Sequence, residues 1–230
     1  MRRVLIRCVM LAALASGMAR GAAIAQAGER SMSAAELPAR LAPATRQAIV
    51  SLGDSLRAVG LPDAPLYAKA AEGVLKGADD ARIVEAVRSL AKALGDARGA
   101  LGPTADASVL DAGASALRAG VTPAALHSLG EAGAAPSGPT ALATALVTLV
   151  DFVAKGVPPA LASQSIEQLL RLGAPESRFE TLRNEVEADI RDGQSPEAAV
   201  TSRVKTNVQQ LGAPGPPHPP SPPSVPESTR

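Results

Sequence analysis

The chain of 230 residues has one cysteine, no tryptophan, one tyrosine, two phenylalanines and two histidines. The lone Cys8 excludes an intrachain disulfide, and with so few soft ligands a thiolate or Cys/His metal centre has no framework. Neither sign of charge dominates: 23 basic residues face 22 acidic ones, interspersed along the chain. Such a balance carries no electrostatic footprint for nucleic acid or for an anionic membrane surface. Alternating runs of β-branched and aromatic residues are missing, which removes the strand signal. Gly-x-Ser-x-Gly, the phosphate-binding glycine loop, His-Glu-x-x-His, Cys-x-x-Cys and the calcium loop do not occur either, so the common templates for catalysis and cofactor binding are gone. No catalytic, cofactor-binding or metal-binding residue is assigned, and a non-enzyme is expected.

What the chain does have is alanine, 48 residues of it. Alanine is the best helix former but buries little apolar area, so the core is expected to rely on close helix approach, with Leu, Val and Ile filling between. Seven glycines, at 60, 77, 120, 156, 173, 193 and 212, each close a helix-like run and are followed within three residues by Pro, Asp or Thr. Glycine suits the left-handed position past a helix end, and Pro, Ser, Thr and Asp suit the next start, so each cluster reads as stop and restart. Between them the apolar residues recur at helical spacing. The clearest run is Ile83, Val87, Leu90, Leu94, Ala97 and Leu101 behind an Asp79 N-cap, a helix of about 33 Å. Thr104 is the expected cap of the next helix and Ser195 of the last.

The expectation is an all-α protein of about nine helices in antiparallel hairpins, forming a bundle or short α-solenoid. Residues 1–27 carry Arg2 and Arg3, an apolar stretch and a small-residue end at Ala25-Gln26-Ala27, the pattern of a signal peptide cleaved near Ala27. An N-terminal membrane anchor is the alternative, although the longest uncharged part falls short of the roughly 20 residues of a membrane span. Removal of the leader takes away Cys8 and four arginines and leaves a net charge of −3. A flexible entry segment, 28–42, precedes the helical domain, 43–211, with a loop or hinge and sub-boundary at 130–138. From 212 to 230 eight residues are proline, an extended tail that builds no core.

Glu72, Val74, Lys76 and Gly77 match Asp151, Val153, Lys155 and Gly156 at an offset of 79 residues. Duplication and convergence on one capping solution both account for this. The Glu72/Lys76 and Asp151/Lys155 spacings are those of helical ion pairs beside a helix end. Glu185, Glu187, Asp189 and Asp192, with Glu176 and Glu180 before them, read as a solvated helix face. Asp79-Asp80 reads as a cap and a first-turn acid, His127 as exposed or capping, and Tyr67 as a core-edge residue with its hydroxyl in water. Ser51, Ser55, Ser89 and Ser163 lie in no nucleophile motif.

The leading functional expectation is an exported, non-catalytic binding or scaffold module of the cell envelope, taking a protein or peptide partner. A carrier of an apolar ligand in a helical cavity is the alternative. An enzyme, for instance one using His127 with an acid from the helix after Gly173, is third. No nucleic acid and no stable membrane span after cleavage are expected.

Overall fold

The computed structural model describes residues 32–134 and 138–212. Among the described residues there are nine α-helices and no strand. They are α1 (Pro43–Ala58), α2 (Ala64–Leu75), α3 (Asp80–Leu101), α4 (Ala107–Arg118), α5 (Pro123–Gly133), α6 (Gly138–Ala154), α7 (Pro159–Arg171), α8 (Glu176–Arg191) and α9 (Pro196–Gly212). The leader, the tail beyond Gly212 and residues 135–137 lie outside the described residues.

Six of the seven glycine signals build one and the same corner. At Gly156, with φ of 97°, the glycine N–H donates to Val153 O at 3.0 Å and the Val157 N–H donates to Phe152 O at 3.0 Å. This crossed pair satisfies two carbonyls that the helix end would otherwise leave open, and the positive φ it needs is one that a side chain resists. The pair recurs at Gly60, Gly77, Gly120, Gly173 and Gly193. The residue after the glycine turns inward at Leu61, Val121, Val157 and Ala174, all of them buried. Gly212 is different, because it is the last residue of α9 and no following helix is described for it to turn toward.

Restarts follow the expected chemistry with one correction. Asp79, Thr122 and Ser195 accept from the backbone N–H groups of Arg82, Ala125 and Ala198. The cap of α4 is Asp106, which accepts from Val109 N at 2.9 Å, rather than Thr104. An aspartate directly before the helix reaches that amide, whereas Thr104 stands two residues too early. The stretch expected to be a loop at 130–138 is also shorter, since α5 runs through Gly130 to Gly133.

Packing is two-layered. Helices α1, α3, α5, α7 and α9 meet in succession in one layer, and α4, α6 and α8 in the other; α2 and α4 pack on α3, α7 on α6 and α9 on α8 to join them. Every packed pair of helices therefore lies one or two places apart along the chain, the arrangement of a short solenoid rather than of a closed bundle. One buried cluster runs from Leu37 to Val204 and crosses the 130–138 segment without interruption. The described part of the entry segment is packed as well. Leu37 and Leu41 are buried, Ala42 N donates to Asp80 at 2.9 Å, and Arg40 donates to Ala78 O at 3.0 Å.

Close approach comes from alanine, as expected, and also from glycines inside helices. Ala97 of α3 is buried at the α3/α4 contact, where a Cβ on Gly113 would lie 3.4 Å from Ala97 Cβ and 2.7 Å from Leu101 Cδ1, and Ala112, Ala114 and Ala116 of α4 are buried as well. The same socket is built at Gly53 for Tyr67, at Gly73 for Ile83 and at Gly133 for Leu142, each with a hypothetical Cβ within 3.0 Å of the seated side chain. In a chain so poor in bulky residues, small sockets bring backbones together without voids.

Candidate functional site

The polar residues singled out from sequence divide into braces and surface groups. Tyr67 is only 1 % exposed, and its hydroxyl donates to Asp63 Oδ2 at 3.2 Å instead of meeting water. Arg57 Nε reaches the same oxygen at 2.8 Å and its Nη2 reaches Asp54 at 2.7 Å. Burial raises the Tyr67 phenol above its ordinary value; Asp63, although partly desolvated, is held below its own by Arg57 and Tyr67. Sequence reading had no signal for this, because the socket at Gly53 that draws the ring inward belongs to another helix.

The acid cluster of α8 is likewise not uniformly solvated. Asp189 is 6 % exposed and forms a bidentate pair with Arg203 of α9, 2.6 Å on both arms. That pairing holds the Asp189 carboxyl below its ordinary value. Glu187 meets Arg191 at 3.3 Å and Lys155 of α6 at 3.6 Å.

Of the two helical ion-pair spacings, one closes. Glu72 binds both Lys69 and Lys76, which brings its carboxyl down to about 2. Asp151 and Lys155 instead turn to α8, Asp151 toward Arg183 at 3.4 Å and Lys155 toward Glu187. Asp79 caps α3, while Asp80 does more than a first-turn acid: the Ala42 N–H and the Thr45 hydroxyl hold its carboxyl low, and it tethers the entry segment.

His127 Nδ1 lies 2.9 Å from Ala100 O on α3, and among the described residues no acid comes within ion-pair distance of it. The structure does not bring His127 together with an acid of α8. Ser55 and Ser163 donate to carbonyls one turn back in their own helices, and Ser51 accepts from Ser55 at its carbonyl. Ser89 is exposed. Among the described residues no group of His, Cys, Asp or Glu is arranged to hold a metal ion, and no helix is long and apolar enough to cross a membrane.

One surface gathers polar and apolar groups that packing does not consume. A groove of about 510 Å³ crosses α4, α6 and α8. Its floor is Ala112, Ala143, Val147 and Val150, and Val147 is 43 % exposed. Asp111 of α4 stands on one wall, with Glu180 and Arg183 of α8 on the other. Arg183 is engaged by Asp151, and Thr144 donates to Glu176 at 2.9 Å, whereas neither Asp111 nor Glu180 has a cation within ion-pair distance among the described residues. Desolvation raises the Asp111 carboxyl above its ordinary value, against a smaller pull from Arg118. A second groove, about 660 Å³ between α7 and α9, is floored by Leu161, Val204 and Val208 and rimmed by Gln164, Gln168, Gln209 and Lys205. Nothing in the α4/α6/α8 geometry aligns a nucleophile with a base; what it offers is an apolar strip between carboxylates.

Comparison of the chain with protein-family models, with curated proteins and with solved structures gives no match.

Proposed function

We propose that this chain is a non-catalytic binding module of the cell envelope, exported with cleavage near Ala27, and that it holds a polypeptide partner in the groove across α4, α6 and α8. The observation that carries this reading is Val147. Val147, 43 % exposed, lines a three-helix groove together with Ala143 and Val150 and beside unpaired Asp111 and Glu180, so a contiguous apolar strip rather than a lone side chain is left in water. Stacked helices are widely used to present such ridged surfaces to protein partners, an argument by analogy from architecture to role. The leader pattern of residues 1–27 supports the compartment.

The test places a photo-cross-linking residue at position 147 in the full chain and, as control, at exposed Ser89. The expected result is a discrete adduct in the envelope fraction from position 147 alone, together with an N-terminus at Gly28 in the processed protein. Equal adduct patterns from both positions, or none from 147, overturn the groove reading. An intact N-terminus overturns the assignment of cleavage.

A further inference from the structure

We propose, building on that reading, that the occupant of the α4/α6/α8 groove is a cationic amphipathic α-helix of a partner protein, with its apolar ridge on Val147 and its Lys or Arg side chains on Asp111 and Glu180. Three features argue for this. The first is charge. Asp111 and Glu180 stand on opposite walls with no cation within ion-pair distance among the described residues, while Asp151 is already met by Arg183, so two open negative positions flank the floor. Exposed carboxylates on both walls direct a negative field into the groove and reward a cation on each flank of the ligand.

The second is shape. Ala143, one turn before Val147 on α6, and Ala112 on α4 keep the lining beside Val147 small, so a ridge of side chains at i, i+3, i+4 and i+7 can settle there as it would against a neighbouring helix of the same stack. The third is the elimination of other peptide modes by what the groove contains. Strand addition needs an open sheet edge, and among the described residues there is no strand. Polyproline recognition needs an aromatic-lined surface, and none of the groove residues is aromatic. An extended peptide would find neither backbone partners nor stacking planes, whereas a helix satisfies its own backbone and asks only for an apolar seat and counter-charges.

The experiment is fluorescence anisotropy with the full chain and three labelled 18-residue peptides. One carries a Leu/Ala ridge flanked by lysines, one has glutamate in place of each lysine, and the third has the lysine composition in scrambled order. The expected order is lysine amphipath tightest, scrambled peptide and glutamate amphipath each at least about tenfold weaker. Asp111→Asn with Glu180→Gln is expected to weaken the lysine amphipath by roughly fivefold, the sum of two exposed ion pairs, and to flatten its salt dependence. Both residues are exposed, so circular dichroism of the double variant should match the parent. Val147→Ser is expected to weaken binding independently of salt.

Scrambled and ordered lysine peptides binding alike, or an unchanged affinity in the double variant, would overturn the proposal as non-specific charge attraction. Glutamate amphipath binding that equals the lysine version and falls with Val147→Ser would sink the charge assignment while leaving a groove for helices. No binding by any peptide overturns this inference, and the cross-linking result at position 147 then decides separately whether the groove holds some other polypeptide.

Discussion

The corner at Gly77 and the corner at Gly156 share acid, valine, lysine and glycine in register, and locally they are the same object. In the first, Gly77 N donates to Val74 O at 3.1 Å and Ala78 N to Gly73 O at 3.0 Å; in the second the bonds to Val153 and Phe152 are both 3.0 Å. Their surroundings differ in almost every respect. Glu72 keeps to its own helix, bound by Lys69 and Lys76, whereas Asp151 and Lys155 reach across to Arg183 and Glu187 of α8. Position 73 is a glycine socket for Ile83, and its counterpart is Phe152, fully buried in the core. The same capping chemistry therefore ends one helix over a tight contact and the other over an aromatic filler. Local hydrogen bonding sets the corner, and the neighbours set what the corner holds.

The largest test of that contrast is Phe152→Ala. With two phenylalanines in the chain, the cavity cannot be filled from nearby, and a loss of about 3–5 kcal/mol is expected in denaturant unfolding. Gly73→Ala probes the other side. The added Cβ would sit 2.8 Å from Ile83 Cγ1, so about 1–3 kcal/mol of overpacking is expected, and the added cost should shrink in an Ile83→Ala background, which removes that carbon. An unchanged melting midpoint in Gly73→Ala would mean that α2 and α3 are not held as closely as described.

Gly77→Ala and Gly156→Ala should both destabilise, Gly156→Ala the more, because its φ of 97° lies farther from the left-handed region open to alanine than the 72° of Gly77. Neither glycine has a heavy atom within 4 Å of a hypothetical Cβ, so the cost is backbone strain alone, about 1–2 kcal/mol at each. A larger cost at Gly77 would show that tertiary contacts reach into the corner itself.

The smallest effect separates the acids. Glu72, lowered to about 2 in the folded chain, contributes its stabilisation fully above its ordinary value of 4.5 and loses it as pH falls toward 2. The group is 39 % exposed, so the contribution is about 0.2–1 kcal/mol, and Glu72→Gln should remove that part of the acid dependence in pH-resolved melting. Asp151→Asn should instead increase hydrogen exchange at the α6/α8 contact, since its partner Arg183 is on the neighbouring helix. A Glu72→Gln profile that parallels the parent down to pH 2 would show that the lysine pairs add nothing.

Much of the architecture was legible because helix ends announce themselves locally. The stripe of α3, the caps at Asp79, Thr122 and Ser195 and six of the seven glycine corners need information from only a few adjacent residues. Thr104 misled because a threonine after Gly-Pro has the chemistry of a cap wherever the helix starts, and only the register of the helix chooses Asp106. Glycines 130 and 133 resembled loop residues, yet both lie in α5, and Gly133 is the small residue there because Leu142 occupies the space a side chain would need. The groove had no signature at all, since Asp111, Val147 and Glu180 are separated by 36 and 33 residues and each is unremarkable alone.

The sequence by itself determined that this chain is helical, where most helices stop and restart, and which stripes face inward, because those properties follow from propensity, capping and 3.6-residue periodicity. Only the tertiary structure decided that the helices stack in two layers, that Tyr67 and Asp189 are braced inside, and that one valine between two carboxylates is left facing water. Those outcomes depend on which distant side chain arrives at each position, and spacing along the chain carries no record of it.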